Sequence, residues 1–68
     1  MNEKQRNQRE RIKNRLQEIK TYAELCLEEF QDESTDTFYV EHKLAEISRI
    51  AGSSKGMVRD YEDLMEEE

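Results

Sequence analysis

Apolar residues recur along this chain in two series with alternating steps of four and three. The first is Ile12, Leu16, Ile19, Ala23, Cys26 and Phe30; the second is Val40, Leu44, Ile47, Ala51, Ser54, Val58, Tyr61 and Met65, with Ser54 its one polar member. Steps of four and three keep side chains on one face of an α-helix, whereas a strand needs alternation at every second residue. The pattern predicts two long helices, one over about residues 3 to 31 and one over about 37 to 66. Between them, Asp32 to Asp36 is a cluster of turn-forming and capping residues, with Asp36 or Thr37 placed to cap the second helix. A connection this short makes the helices antiparallel neighbours. The expected fold is all-α: residues 1 to 68 as one helical hairpin whose two stripes form its core.

Flanking residues widen each stripe. Tyr22, Leu25 and Leu27 lie beside the first, and Tyr39, Ile50, Met57 and Leu64 beside the second. One partner helix covers a narrower sector than this, so two hairpins packed as a homodimeric four-helix bundle are expected to bury both sets. Length points the same way, because 68 residues is near the lower limit for folding alone.

Charge supports the antiparallel pairing. Residues 1 to 15 carry Lys4, Arg6, Arg9, Arg11, Lys13 and Arg15 against Glu3 and Glu10. The last ten carry Asp60, Glu62, Asp63, Glu66, Glu67 and Glu68 against Arg59. Each run opposes the dipole of its own helix, but a hairpin sets the two side by side. Charged residues make up 41% of the chain and the net charge is -6, a balance suited to solvated helices around a narrow seam.

Candidate chemistry is sparse. The single Cys26 can make neither an internal disulfide nor a zinc site and reads as a small core residue in a reducing cytoplasm. The single His42 lies off the apolar stripe and reads as solvated. No Gly-rich phosphate loop, metal-ligand spacing or nucleophile-base set can be assembled. The expectation is a chain with no enzymatic activity, cofactor or metal. No apolar run approaches the ~20 residues that span a bilayer, and Met1 to Arg11 lacks the apolar segment of a signal peptide.

Leu44 to Tyr61 admits another reading. Its I-x-x-I-A-G-x-S-K-x-x-V-R-x-Y pattern resembles a helix-turn-helix in which Gly52 makes the turn and Ser54 caps a recognition helix. That makes a small DNA-binding regulator the alternative function. The would-be reading helix, however, carries Asp60, Glu62 and Asp63, which phosphates repel. Under the hairpin reading, Gly52 and Gly56 mark either a close helix approach or a weakened, bending stretch.

Asn14, Leu16, Ile19, Lys20, Tyr22, Ala23, Glu24 and Leu25 stand in the register H-E-x-x-N-x-L-x-x-I-x-x-Y-A-E-L, and Leu44, Ile47 and the run Met57 to Leu64 resemble a closing V-x-D-L-L pattern. Over about Glu10 to Met65 the chain thereby resembles the dimerisation and histidine-phosphotransfer domain of sensor histidine kinases. The resemblance implies a homodimeric four-helix bundle. It also implies a partner in two-component signalling, either a response-regulator receiver domain or a histidine kinase. In that register Glu10 stands at the phosphoacceptor histidine position, Arg11 replaces the neighbouring acidic residue, and Asn14 falls where the family keeps an Asn or Thr. The family's docking surface maps onto Glu10, Arg11, Asn14 and Arg15. With the acceptor replaced and no room for a catalytic domain, the expected function is non-enzymatic binding. A structural dimer with no signalling role is the remaining alternative.

Overall fold

The computed structural model describes residues 1 to 31 and 33 to 66; Asp32 of the expected connection, and Glu67 and Glu68 of the acidic run, lie outside the described residues. Helix α1 spans Glu3–Glu29 and α2 spans Thr37–Glu66, and they pack against each other as an antiparallel hairpin of 53 × 16 × 11 Å. The expected all-α helical hairpin is the observed architecture. No helix among the described residues is long and apolar enough to cross a membrane.

Local chemistry sets the helix ends. Asn2 caps α1: its side chain accepts from the Gln5 backbone N–H at 2.8 Å, and Gln5 Oε1 accepts from the Asn2 N–H at 3.0 Å, a reciprocal capping box. At the other end α1 stops at Glu29, two residues before the sequence pattern suggests, because the chain tightens there. Phe30 N–H still reaches the Cys26 carbonyl, but Gln31 N–H bonds the Glu28 carbonyl three residues back.

Glu29 then organises the connection. Its carbonyl accepts from Thr35 Oγ1 at 3.3 Å and its carboxylate from the Asp36 N–H at 2.9 Å. Asp36 in turn caps α2, accepting from the Tyr39 N–H at 3.1 Å. Of the two caps the sequence offers, Asp36 and Thr37, it is Asp36 that serves.

The two helices meet along a seam offset from the stripes. On α1 the covered positions include the series Gln5, Gln8, Ile12, Arg15, Ile19, Tyr22, Cys26 and Glu29, with Leu25 beside it; on α2 they include Val40, Lys43, Ile47, Ile50, Ser54, Met57, Tyr61 and Leu64, with Tyr39, Glu46 and Ala51 beside it. These are again four-and-three series. They share Ile12, Ile19 and Cys26 with the first stripe and Val40, Ile47, Ser54 and Tyr61 with the second.

The expectation that the stripes form the hairpin's core is therefore corrected. Val40 is buried, and Ile12, Ile19, Tyr22, Cys26, Ile47, Ala51 and Tyr61 are half-buried, but Leu16, Ala23, Phe30, Leu44, Val58 and Met65 are exposed. Tyr22, Ile50, Met57 and Leu64, expected to be left for a second hairpin, instead lie in the seam, with Ile50 only 1% exposed. The physical reason is that each helix carries more apolar width than one neighbour can cover. Rotation onto the Ile50 side buries the larger α2 row, while Gln5, Gln8 and Arg15 can enter the seam edge because their polar ends find partners there.

Helix α2 runs unbroken through Gly52 and Gly56, neither glycine has a positive φ, and a Cβ built at either would meet nothing within 4 Å. The turn a helix-turn-helix requires at Gly52 is not formed, and the glycines mark no close approach. Ser54, buried in the seam, satisfies its hydroxyl on the Ile50 carbonyl at 2.6 Å.

Candidate protein-interaction surfaces

Three surfaces distinguish this hairpin. The first is the polar side of α1, where the sequence places Glu10, Arg11, Asn14 and Arg15. Arg11, Asn14 and Arg15 line a shallow groove of about 230 Å³ together with Glu18, a residue the sequence reading missed. Arg15 pairs with Glu18 at 3.6 Å and Arg11 Nη1 donates to Gln8 Oε1 at 3.4 Å, which fixes the two guanidinium groups one turn apart. Glu10 does not line this groove; it pairs with Lys13 at 3.6 Å. An i, i+3 acid-base pair was the available signal for both Glu18 and Glu10.

The second surface is the open end, where the α1 N-terminus meets the α2 C-terminus. Lys4 and Arg11 line a groove of about 310 Å³ with Asp60 and Asp63, so the opposite charge runs do lie side by side. The four ion pairs within 4.0 Å among the described residues are nevertheless all within one helix: Lys13–Glu10, Arg15–Glu18, Lys20–Glu24 and Arg49–Glu46. Neutral amides make the cross-links instead. Gln5 Nε2 donates to the Leu64 carbonyl at 2.9 Å and Gln8 Nε2 to the Met57 carbonyl at 3.1 Å. Nearby, Arg9 Nη1 reaches Tyr61 Oη at 3.5 Å.

The third surface is the apolar face that the offset seam leaves uncovered. Leu16, Ala23 and Phe30 recur every seven residues on α1, and Leu44, Ala51, Val58 and Met65 do so on α2. From these rows Leu16, Ala51 and Val58 line a groove of about 460 Å³ between the helices, together with Ile12, Ile19, Ser54, Lys55, Arg59 and Glu62. Leu16 is 55% exposed and Leu44 52%. Phe38, in the first turn of α2, is also exposed.

Arg49 lies 2.7 Å from Glu46, and its hydrogen bond first and its charge second hold the Glu46 carboxyl below its ordinary value; the same pair raises Arg49. Lys43 sits over the rings of Tyr22 and Tyr39, at 5.2 and 5.3 Å from their centroids, and so joins the two helices near the connection. His42 is exposed, the Cys26 thiol is half-buried, and among the described residues no three His, Cys, Asp or Glu side chains converge as a metal site.

Comparison with protein-family models, with curated proteins and with solved structures found no match to this chain.

Proposed function

We propose that this protein is a non-enzymatic interaction module of the cytoplasm: a homodimer of helical hairpins that binds a partner protein through the polar side of α1. The observation that carries the reading is the pairing of an uncovered apolar face with a separate polar groove held by Arg11, Asn14, Arg15 and Glu18. One surface suits assembly and the other suits recognition, since charged groups at a rim set encounter rate and specificity.

The sequence resemblance to the dimerisation domain of sensor histidine kinases supplies the partner class, a response-regulator receiver domain or a kinase in two-component signalling. Glu10 at the acceptor position, turned toward Lys13, fits binding without phosphotransfer. Continuity of α2 through Gly52 weighs against the DNA-binding alternative.

The test is capture of partners from the protein's own cells, followed by titration of the captured receiver domain or kinase. Arg11→Glu should weaken binding tenfold or more, about 1.4 kcal/mol, and, because Arg11 also lines the open-end groove with Asp60 and Asp63, circular dichroism melts run alongside separate the binding loss from a loss of hairpin stability. Arg15→Glu is expected to do the same but to cost some hairpin stability as well, because Arg15 is half-buried. Unchanged binding by a folded Arg11→Glu protein would reject this surface. Absence of any captured two-component partner would leave the structural-dimer reading, and stable phosphate transfer to His42 would reject the non-enzymatic one.

A further inference from the structure

We infer that the occupant of the open apolar face is a second copy of this chain, seated on the Leu16 and Val58 rows and not on the Ile50 side of the hairpin. This deepens the homodimer reading above by assigning the face, and it rests on that reading.

Surface area is the first argument. The chain exposes 5445 Å², whereas a compact monomer of 8.2 kDa exposes about 4,500 Å². The excess of about 900 Å² matches the ~800 Å² each partner contributes to a standard specific interface. A single layer two helices wide cannot remove it by rearranging itself; a second layer can.

Periodicity is the second argument, and it selects a copy over an unrelated partner. Each helix carries three rows of seven-residue spacing. On α2 these are Lys43, Ile50, Met57 and Leu64; Val40, Ile47, Ser54 and Tyr61; and Leu44, Ala51, Val58 and Met65. The first two rows meet α1 within the hairpin. The third repeats at the same spacing along the same length, with Leu44, Val58 and Met65 exposed and Ala51 half-buried. On α1 the seam takes Gln5, Ile12, Ile19 and Cys26 together with Gln8, Arg15, Tyr22 and Glu29, while the open row, after Arg9, offers Leu16, Ala23 and Phe30. A helix that keeps an apolar row outside its seam has a further helical layer to meet. Rows of seven residues mesh continuously only with rows of the same period, and another copy presents them at matched length.

The groove itself fits this occupant. It is lined by the covered Ile12, Ile19 and Ser54 and by the exposed Leu16 and Val58, so an identical face can set its own Leu16 and Val58 side chains into it.

The experiment is sedimentation equilibrium on the full chain and on Leu16→Glu, Val58→Glu and Ser53→Lys, with circular dichroism on each. Ser53 is exposed on the far side of α2. The parent and Ser53→Lys should be dimers, and both glutamate variants should dissociate at least a hundredfold more readily while remaining helical. Dimers that survive both glutamates would overturn the face assignment and leave the homodimer standing. A parent monomeric at high micromolar concentration would overturn both. Should a glutamate variant unfold, a bismaleimide of about 10 Å, the spacing of packed helices, decides the matter in a Cys26→Ser background. Leu16→Cys lies near the middle of α1, so two copies approach there whichever way the second hairpin points. Cross-linking of Leu16→Cys and not of Ser53→Cys supports the assignment, and the reverse overturns it.

Discussion

Gln5 and Leu64 close the hairpin at its open end: the Gln5 Nε2 donates to the Leu64 carbonyl at 2.9 Å, from a side chain that is 0% exposed. The same amide uses its Oε1 in the capping box with Asn2. One residue therefore satisfies an orphan donor at the start of α1 and an orphan acceptor in the last turn of α2. Both helix ends there carry charge of the wrong sign for their dipoles, and a neutral amide binds them without adding to either.

Gln5→Ala should therefore cost about 1 to 3 kcal/mol, the range for leaving buried polar groups unmatched. Gln5→Glu keeps the acceptor for Asn2 but has no proton for Leu64 at neutral pH, so it should also destabilise. Urea unfolding measures both. Protection of the amides near Asn2 and Leu64 against hydrogen exchange should fall together, because one side chain serves both ends.

Ile50→Ala and Leu44→Ala separate the seam from the open face. Ile50 is the most buried apolar side chain, and its truncation should cost ~2 to 5 kcal/mol at every protein concentration, a large share of the stability of so small a domain. Leu44 is half exposed in the hairpin. Its truncation should lower the melting temperature mainly by weakening assembly, so the loss should be small at concentrations where both proteins are monomeric and grow as protein concentration rises. Equal, concentration-independent losses would contradict the division.

Gly52→Ala and Gly56→Ala should each stabilise the protein by up to ~1 kcal/mol, since both lie inside α2 with open space around a new Cβ. The urea midpoint should rise at constant slope. A fall would mean that something packs on these glycines in the assembled protein.

At the Glu46–Arg49 pair the sign of the pH effect follows from the lowered carboxyl value in the folded state. Its contribution is present above the unfolded value and is lost as pH falls through the folded one. Both side chains touch solvent, so the effect on stability is small and the titration itself is the readout. Following the Glu46 side-chain carboxyl by NMR, Arg49→Gln should move its midpoint upward.

The helices, the Asp36 cap and the antiparallel pairing are legible in the sequence because each rests on local chemistry or on a simple period. The seam is legible only in part. A stripe written as Ile12, Leu16, Ile19 and Ala23 is compatible with burial toward either of its edges. The choice depended on Ile50, Met57 and Leu64, which form a row as apolar as the one selected. Gln5 and Gln8 gave no signal at all, because a glutamine that caps a distant carbonyl is written like one in solvent. Helix spacing was enough to bring Arg11, Asn14 and Arg15 to one groove, whereas side-chain pairing turns Glu10 toward Lys13 and brings Glu18 in.

The most direct measurement of the central claim is an isotope-filtered NOE experiment on a mixture of labelled and unlabelled protein. Methyls of Leu16, Leu44 and Val58 should show contacts to the other copy, and Ile50 should show contacts only within its own hairpin. Intermolecular contacts from Ile50 and Leu64, with none from Leu16 and Val58, would contradict both the seam and the face assigned to the second copy.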